Sequence, residues 1–261
     1  MRLSVVKSTY LERYRQVQPI TLAKHLGRLR SKPWDNSVFG YSLSAASVYS
    51  AMIEGNTIDM DTYLRYASTG MNTKSKSFLE IEDLRASYLY ASGNGLGKET
   101  LQEAHSIATA NLVQDGRYRG CVRDRDVFIF SAGRKIYTGA PLDAVNEEFE
   151  RFFKDVGILL ERELTVSECF YFASMLHLVF VKIHPFADGN GRMARLVEKW
   201  FLAEKLGESA WFIESEKLYQ KRIKSYYRNL SIGDTYANTD YTLSMPFLLM
   251  LPMALTAGGQ T

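Results

Sequence analysis

The stretch HPFADGNGRMAR, residues 184–195, concentrates the residue types that do chemistry. Proline disfavours helical geometry in the residue before it, so Pro185 ends the preceding helix at His184 and turns that imidazole toward the following loop. A histidine displaced in this way can act as a base. Gly189 and Gly191 let backbone N–H groups come close to an anion. They stand where a new helix opens, the end at which anions bind. Arg192 and Arg195 lie three residues apart on that helix, on neighbouring positions of one face, and each carries a planar fork suited to phosphate oxygens. Asp188 supplies a hard oxygen of the kind Mg²⁺ accepts while it keeps waters and bridges phosphates. Each residue alone has a plainer reading, in which Gly, Asp and Asn serve helix ends and His184 is packed. Base, anion cradle, cationic clamp and metal ligand within one loop point instead to chemistry on a polyphosphate.

The elements that must hold this loop are mainly α. Apolar residues recur at helical spacing over 42–54, 78–92, 98–113, 142–162, 167–183 and 190–206. The segment 167–183 is apolar around nearly its whole circumference, as expected of a helix at the centre of a bundle, and it leads straight into the loop. The exception is 117–139, where VFIF and KIY are β-prone runs separated by SAGR, a predicted hairpin. Stretches 30–41 and 68–77 read as linkers that bracket one early helix.

Composition narrows the function classes. A chain of 261 residues with 46% hydrophobic and 23% charged residues can bury a proper core, which excludes wholesale disorder. The net charge of +3, from 32 basic and 29 acidic residues, is too mild for a nucleic-acid binder, and no direct nucleic-acid binding is expected. Cys121 and Cys169 match no metal-ligand spacing and are too few for a disulfide framework, so two buried, reduced thiols are expected. The first residues carry charges throughout and lack a secretory apolar run, which makes the cytoplasm the expected location. The only membrane-like stretch, LSMPFLLMLPMAL, is shorter than the roughly 20 residues of a spanning helix and contains Pro246 and Pro252. It reads as a docked or partner-seeking tail, with no membrane as partner.

The motif resembles the signature of the Fic family, HPFx[D/E]GN[G/K]RxxR, at every specified position. The likeness extends over about 42–230 and leaves 1–41 and 236–261 uncovered. It implies a Fic-type helical bundle with a small β-hairpin flap, and a protein adenylyltransferase that uses ATP as co-substrate and Mg²⁺ as cofactor. Carried over by position, His184 would deprotonate the hydroxyl of a target protein, which attacks the α-phosphate, with Asn190 also in the catalytic set. Gly189, Asn190 and Gly191 would form the anion hole, Arg192 and Arg195 would bind the β- and γ-phosphates, and Asp188 would hold Mg²⁺. Phe186 would anchor the loop. The implied organisation is an N-terminal helical region (1–75), a catalytic core (76–235) and a hydrophobic tail (236–261).

A second motif precedes the first. Ser50 and Glu54 stand one turn apart before Gly55, a C-terminal stop, and by themselves they describe an ordinary capped helix. In many Fic proteins Ser/Thr-x-x-x-Glu-Gly/Asn marks an inhibitory helix, here about 42–55, whose glutamate pairs with the second arginine of the signature. The resemblance thus makes Glu54 the partner of Arg195, and the enzyme inhibited at rest. In some relatives the same glutamate positions a water for removing AMP. The reverse reaction therefore stays open, as do phosphate or phosphocholine transfer and a non-catalytic nucleotide-sensing module. Gly191, where phosphate-transferring relatives carry Lys, favours AMP transfer.

The hairpin falls at the family's flap, which holds the target backbone by strand addition. Its residues here would be Val127, Phe128, Ile129 and Phe130, paired with Lys135, Ile136, Tyr137 and Thr138. Homodimerisation is left open. The phosphate-loop look of GNGLGKET (93–100) fails at Ser92 and Glu99, leaving a linker before a helix. His25, His105 and His177 have no partner at metal spacing and read as core or surface histidines. Tyr226 and Tyr227 read either as packing or as the lining of an adenine pocket.

Overall fold

Helix signals in the sequence are matched by helices almost throughout the computed structural model, which describes residues 2–18, 21–31, 35–131 and 134–257. Helices α1 (Leu11–Val17), α2 (Leu22–Arg30), α3 (Asn36–Ile53), α4 (Met60–Thr69), α5 (Lys76–Ser92) and α6 (Lys98–Ala108) precede a hairpin of β1 (Phe128–Ser131) and β2 (Arg134–Thr138). The chain continues through α7 (Val145–Glu161), α8 (Val166–Ile183) and α9 (Asn190–Leu206). It ends with α10 (Ser215–Lys221), α11 (Ile223–Leu230), α12 (Met245–Leu248) and α13 (Met250–Ala257). Side-chain caps start several of these. Asp35 accepts the Ser37 and Val38 N–H groups at α3, Asp59 accepts that of Thr62 at α4, and Thr165 with Glu168 forms a reciprocal capping box on α8.

The central helix is α8. It is long and apolar enough to cross a membrane, a stretch that sequence reading had credited only to the tail, yet 78% of it is buried inside the fold. Helix α9 packs along it, with α1, α2, α7, α12 and α13 around the rest. A helix that is apolar all round needs such a surround, because each buried Leu or Phe contributes about 1.5–3 kcal/mol only when covered.

One core cluster runs from Val5 to Ala254 and so crosses both 75–76 and 235–236. The C-terminal segment is docked, with Phe247, Leu248 and Leu251 fully buried. A second cluster joins α3 to α4 and α5 through Val48, Ala51, Tyr63, Phe78 and Ile81. Asp155 of α7 fastens the start of the chain by accepting the N–H groups of Ser4, Val5 and Val6.

Several expectations are corrected. Within the supposed linker 30–41, residues 36–41 are helical, because Asp35 caps α3 and the helix starts six residues before its apolar pattern becomes clear; residues 32–34 lie outside the described residues. Two helices, not one, lie between the linkers. Helix α6 stops at Ala108, short of residue 113. Among the described residues the named strands are β1 and β2, and Val127 lies before β1. Cys169 is buried, but Cys121 is exposed.

The hairpin's inner end is pinned by a segment beyond α11. Thr138 N–H donates to the Asp234 carbonyl at 2.9 Å, and Tyr236 N–H donates to the Thr138 carbonyl at 2.9 Å. This short parallel bridge gives the two-stranded ribbon a support that an isolated hairpin lacks.

Candidate functional site

The break of α8 fixes the position of His184. His184 donates its backbone N–H to the Phe180 carbonyl at 2.9 Å and then leaves the helix with φ 55° and ψ 59°, the left-handed region that few residues other than glycine adopt. Its ring Nδ1 lies 3.2 Å from the Val181 carbonyl. A carbonyl can only accept, so Nδ1 carries the hydrogen and Nε2 keeps its lone pair. Burial, ahead of any charge, pushes the His184 pKa down to about 4, so the imidazole is neutral at pH 7.

Beyond His184 the loop is tied internally. Asn190 accepts the Phe186 N–H at 2.9 Å and returns a bond to the Phe186 carbonyl at 2.8 Å. Its side-chain amide thereby shapes the loop, and its backbone N–H stands at the start of α9. Phe186 is buried, stacks on His105 at 3.7 Å and meets Phe149 edge-on. Gly189 has φ 75°, and a Cβ there would also crowd Thr109 and His105.

His105, read from sequence as a bland histidine, is part of this architecture. Its Nδ1 accepts the Gly120 N–H at 2.8 Å, so Nε2 must donate to the Asp188 carbonyl, 3.0 Å away. Burial holds its pKa down to about 4, consistent with a neutral ring. No sequence signal marks this role, since the partners stand far apart along the chain.

Asp188 itself is exposed. One carboxylate oxygen accepts the Gly189 N–H at 2.6 Å, and among the described residues the other accepts no hydrogen bond. Among the described residues no three His, Cys, Asp or Glu side chains cluster to hold a metal. A single hard carboxylate nevertheless fits Mg²⁺, which keeps several waters and takes phosphate oxygens for its remaining positions.

The first turn of α9 faces α3. Its backbone N–H groups have no intrahelical acceptor. Arg192 is buried; its Nη2 lies 3.5 Å from Glu80 of α5, while Nε and Nη1 have no partner. Buried unsatisfied donors cost about 1–3 kcal/mol each, and more when charged, so the group is suited to an anionic ligand. Arg195 is fully engaged. Its Nε donates to Ser50 Oγ at 2.8 Å, Nη2 to the Ser50 carbonyl at 3.1 Å and to Glu54 at 2.7 Å, and Nη1 to the Tyr226 hydroxyl at 3.1 Å.

Glu54 is the residue after α3, and Gly55 follows with φ 94°, so the helix end aims the carboxylate at α9. A Cβ built on Gly191 would collide with that carboxylate. Glu54 therefore lies directly against the N-terminal turn of α9. Tyr226 is buried, and its hydroxyl bridges Arg195 to His177 Nε2 at 2.9 Å, with His177 Nδ1 2.8 Å from Glu198. That settles Tyr226 as packing. Tyr227 is 44% exposed and donates to the Ile53 carbonyl at the end of α3.

The hairpin residues do not behave alike. Phe128 and Ile136 are exposed, and Lys135 lies over the Phe128 ring at 5.1 Å. Ile129 pairs with Tyr137, and Phe130 with Lys135. Tyr137 turns inward, donating its hydroxyl to the Lys182 carbonyl at 2.8 Å, and so fastens the hairpin to the last turn of α8.

Known proteins resemble this chain in sequence and fold. Residues 95–202 match the model of the Fic/DOC family. The chain is 26% identical over 163 residues to the "Protein adenylyltransferase Fic" of Nematostella vectensis, and 28% identical over 162 residues to the "Protein adenylyltransferase fic-1" of Caenorhabditis elegans. Each match takes in 57% of this chain but only 35% and 29% of those proteins, about a third of their length. A solved Fic family protein from Desulfovibrio desulfuricans G20 superposes with a TM-score of 0.78 over 99% of this chain and 77% of that one. At 21% identity this likeness speaks for the fold. Helical bundle, hairpin and signature loop thus coincide with a matching family model: residues 95–202 match the Fic/DOC family, and the fold is that of a solved Fic family protein.

Proposed function

We propose that this protein transfers AMP from ATP to a hydroxyl group of a protein target, and that Glu54 restrains it at rest. The observation that carries the reading is the pairing of two features on α9. Arg192 is a buried guanidinium with two unpartnered donors, and beside it the Glu54 carboxylate lies against Gly191 and on Arg195. An anion already occupies part of an anion site, and it belongs to the protein.

In the proposed mechanism the target hydroxyl gives its proton to His184 Nε2 as its oxygen bonds to the α-phosphorus. The bond from that phosphorus to the bridging oxygen breaks, and pyrophosphate leaves with the electron pair. The N-terminal N–H groups of α9 and the Arg192 fork orient the phosphates, so positioning and charge neutralisation supply most of the rate. Asp188 is the residue suited to hold Mg²⁺, which when bound neutralises charge on the departing phosphates. Arg195 can meet a γ-phosphate only when Glu54 yields it. The hairpin, with Phe128 and Ile136 exposed, is the surface suited to hold an extended target segment. Because the reaction consumes ATP, the cytoplasm is the setting we propose.

The test is the Glu54→Gly protein incubated with Mg²⁺ and ATP labelled at either the α- or the γ-phosphate. Label from the α position on the protein itself or on lysate proteins, lost in Glu54→Gly/His184→Ala, is the expected result. Label from the γ position would replace AMP transfer by phosphate transfer, and none from either would remove the reading. A second direction has one specific support: among the described residues the other Glu54 oxygen accepts no hydrogen bond, which leaves it free to align a water and favours hydrolytic removal of AMP. Release of AMP from a labelled target by the unmodified protein, but not by Glu54→Gly, would establish it.

A further inference from the structure

Arg123 is buried, yet among the described residues its side-chain hydrogen bonds involve no carboxylate. Asp126 acts on its charge only from a distance. All its bonds go to backbone carbonyls. Nε donates to His184 at 2.8 Å, Nη1 donates to Arg125 at 2.9 Å, and Nη2 donates to Ala140. Its own backbone N–H donates to the Pro185 carbonyl at 2.9 Å. One residue therefore holds both members of the His184–Pro185 pair at the break of α8, together with the chain leaving the hairpin. The carbonyl end of a helix carries partial negative charge, which suits a fixed cation there.

The corner has no slack. A Cβ on Gly139 would come within 2.9 Å of His184 Cβ and 3.2 Å of Arg123 Nη2. Ala140 N–H donates to the Ile183 carbonyl at 3.1 Å, adding a second stitch between the hairpin exit and the end of α8.

We propose that Arg123 is a positioning residue for His184: its three-carbonyl grip holds the left-handed break of α8 and the exit of the hairpin as one rigid corner, with its charge beside the imidazole. This deepens the reading above and rests on His184 as the base. The charged groups facing His184 are Arg123 from the 119–127 loop, Glu54 from the end of α3 and Asp188 from its own loop. Lys182, on the last turn of α8, turns its amine over the Tyr137 ring at 4.2 Å. Burial and Arg123 both disfavour a proton on the ring, whereas Glu54, Asp188 and the Val181 carbonyl favour one. Removing the Arg123 charge leaves burial alone against them.

The test compares Arg123→Gln with Arg123→Lys. Ring-proton NMR titration reads His184 in the folded protein without any turnover, with His184→Ala identifying its signal. Arg123→Gln, which loses both charge and grip, should move that titration upward by about half a pH unit or more. Arg123→Lys keeps the charge but cannot reach three carbonyls. It should leave the titration near its original position and still lower AMP transfer about tenfold or more in the Glu54→Gly background, with ATP affinity within about twofold. Parent titration and parent transfer in both folded variants would overturn the proposal. Should the Gln variant not fold, parent-like transfer by the Lys variant alone overturns it. A Glu54→Gly parent that transfers no AMP sinks the functional reading separately, and the titration still decides the role of Arg123.

Discussion

Glycine in place of Glu54 removes one carboxylate and leaves Arg195 its bonds to Ser50 and Tyr226. The Arg195 side chain is 1% exposed and that of Glu54 33%, so the pair lies between the buried and surface regimes. A hydrogen bond to a charged group contributes about 1.5–3 kcal/mol. Screening at the exposed Glu54 end reduces this to about 1–2 kcal/mol. ATP must displace Glu54 to reach Arg195, and about 1.4 kcal/mol is a factor of ten, so the variant should bind ATP about 5–30-fold more tightly. ADP, which has no γ-phosphate to offer, should gain far less. Stability moves the other way: Arg195 loses its carboxylate partner, and about 1–2 kcal/mol corresponds to a melting temperature lower by about 2–8 °C. Calorimetric titration of both nucleotides with Mg²⁺, alongside thermal unfolding, measures the two effects on the same samples. The reasoning is refuted by a variant that melts lower as expected but binds ATP within twofold of the parent. Glu54 would then be a structural ion pair and nothing more.

Four further outcomes follow from the same geometry. Tyr226→Phe strands a donor of Arg195 and an acceptor of His177 inside the core, and should cost about 1–3 kcal/mol in chemical denaturation. His105→Phe can keep the stack on Phe186 but drops the bonds to Gly120 and Asp188; in the Glu54→Gly background it should slow AMP transfer more than it weakens ATP binding. His184 and His105 both titrate near 4 in the fold, below the value of about 6.5 for an unfolded chain, so the unfolded state takes protons first as pH falls. Stability should therefore be level between about pH 6.5 and 8, where the lowered Lys182 begins to titrate, and decline from 6.5 toward 4, with a shallower decline in His105→Phe, as denaturation at a series of pH values will show. Asp188→Asn should raise the Mg²⁺ concentration needed for half-maximal transfer without lowering the melting temperature by more than a degree or two, since its carboxylate is exposed.

The helices were legible because their signals are local. Apolar spacing places α8, and the glycines at 189 and 191 mark the start of α9. Boundaries failed where one local signal was misread: Asp35 caps a helix inside a stretch that looked like a linker. The weakest reading was of single residues without a motif. His105, His177 and Arg123 have ordinary sequence neighbours. Their roles come from carbonyls and hydroxyls supplied by other segments, such as Asp188 for His105, Tyr226 for His177 and Ala140 for Arg123. Tyr137 is similar: in sequence it alternates with other hairpin residues, while in the fold it alone turns its hydroxyl to the end of α8.

The sequence by itself determined the loop at 184–195. Proline, glycine and asparagine there constrain their own backbone over a few residues, and two arginines on successive turns of one helix share a face regardless of what surrounds them. Only the tertiary structure decided what those groups meet. Whether Arg195 reaches solvent or a carboxylate, and which way the base is held, depends on α3 and the 119–127 loop arriving beside α9 and the end of α8. Such contacts are set by packing between distant segments, and no local spacing encodes them.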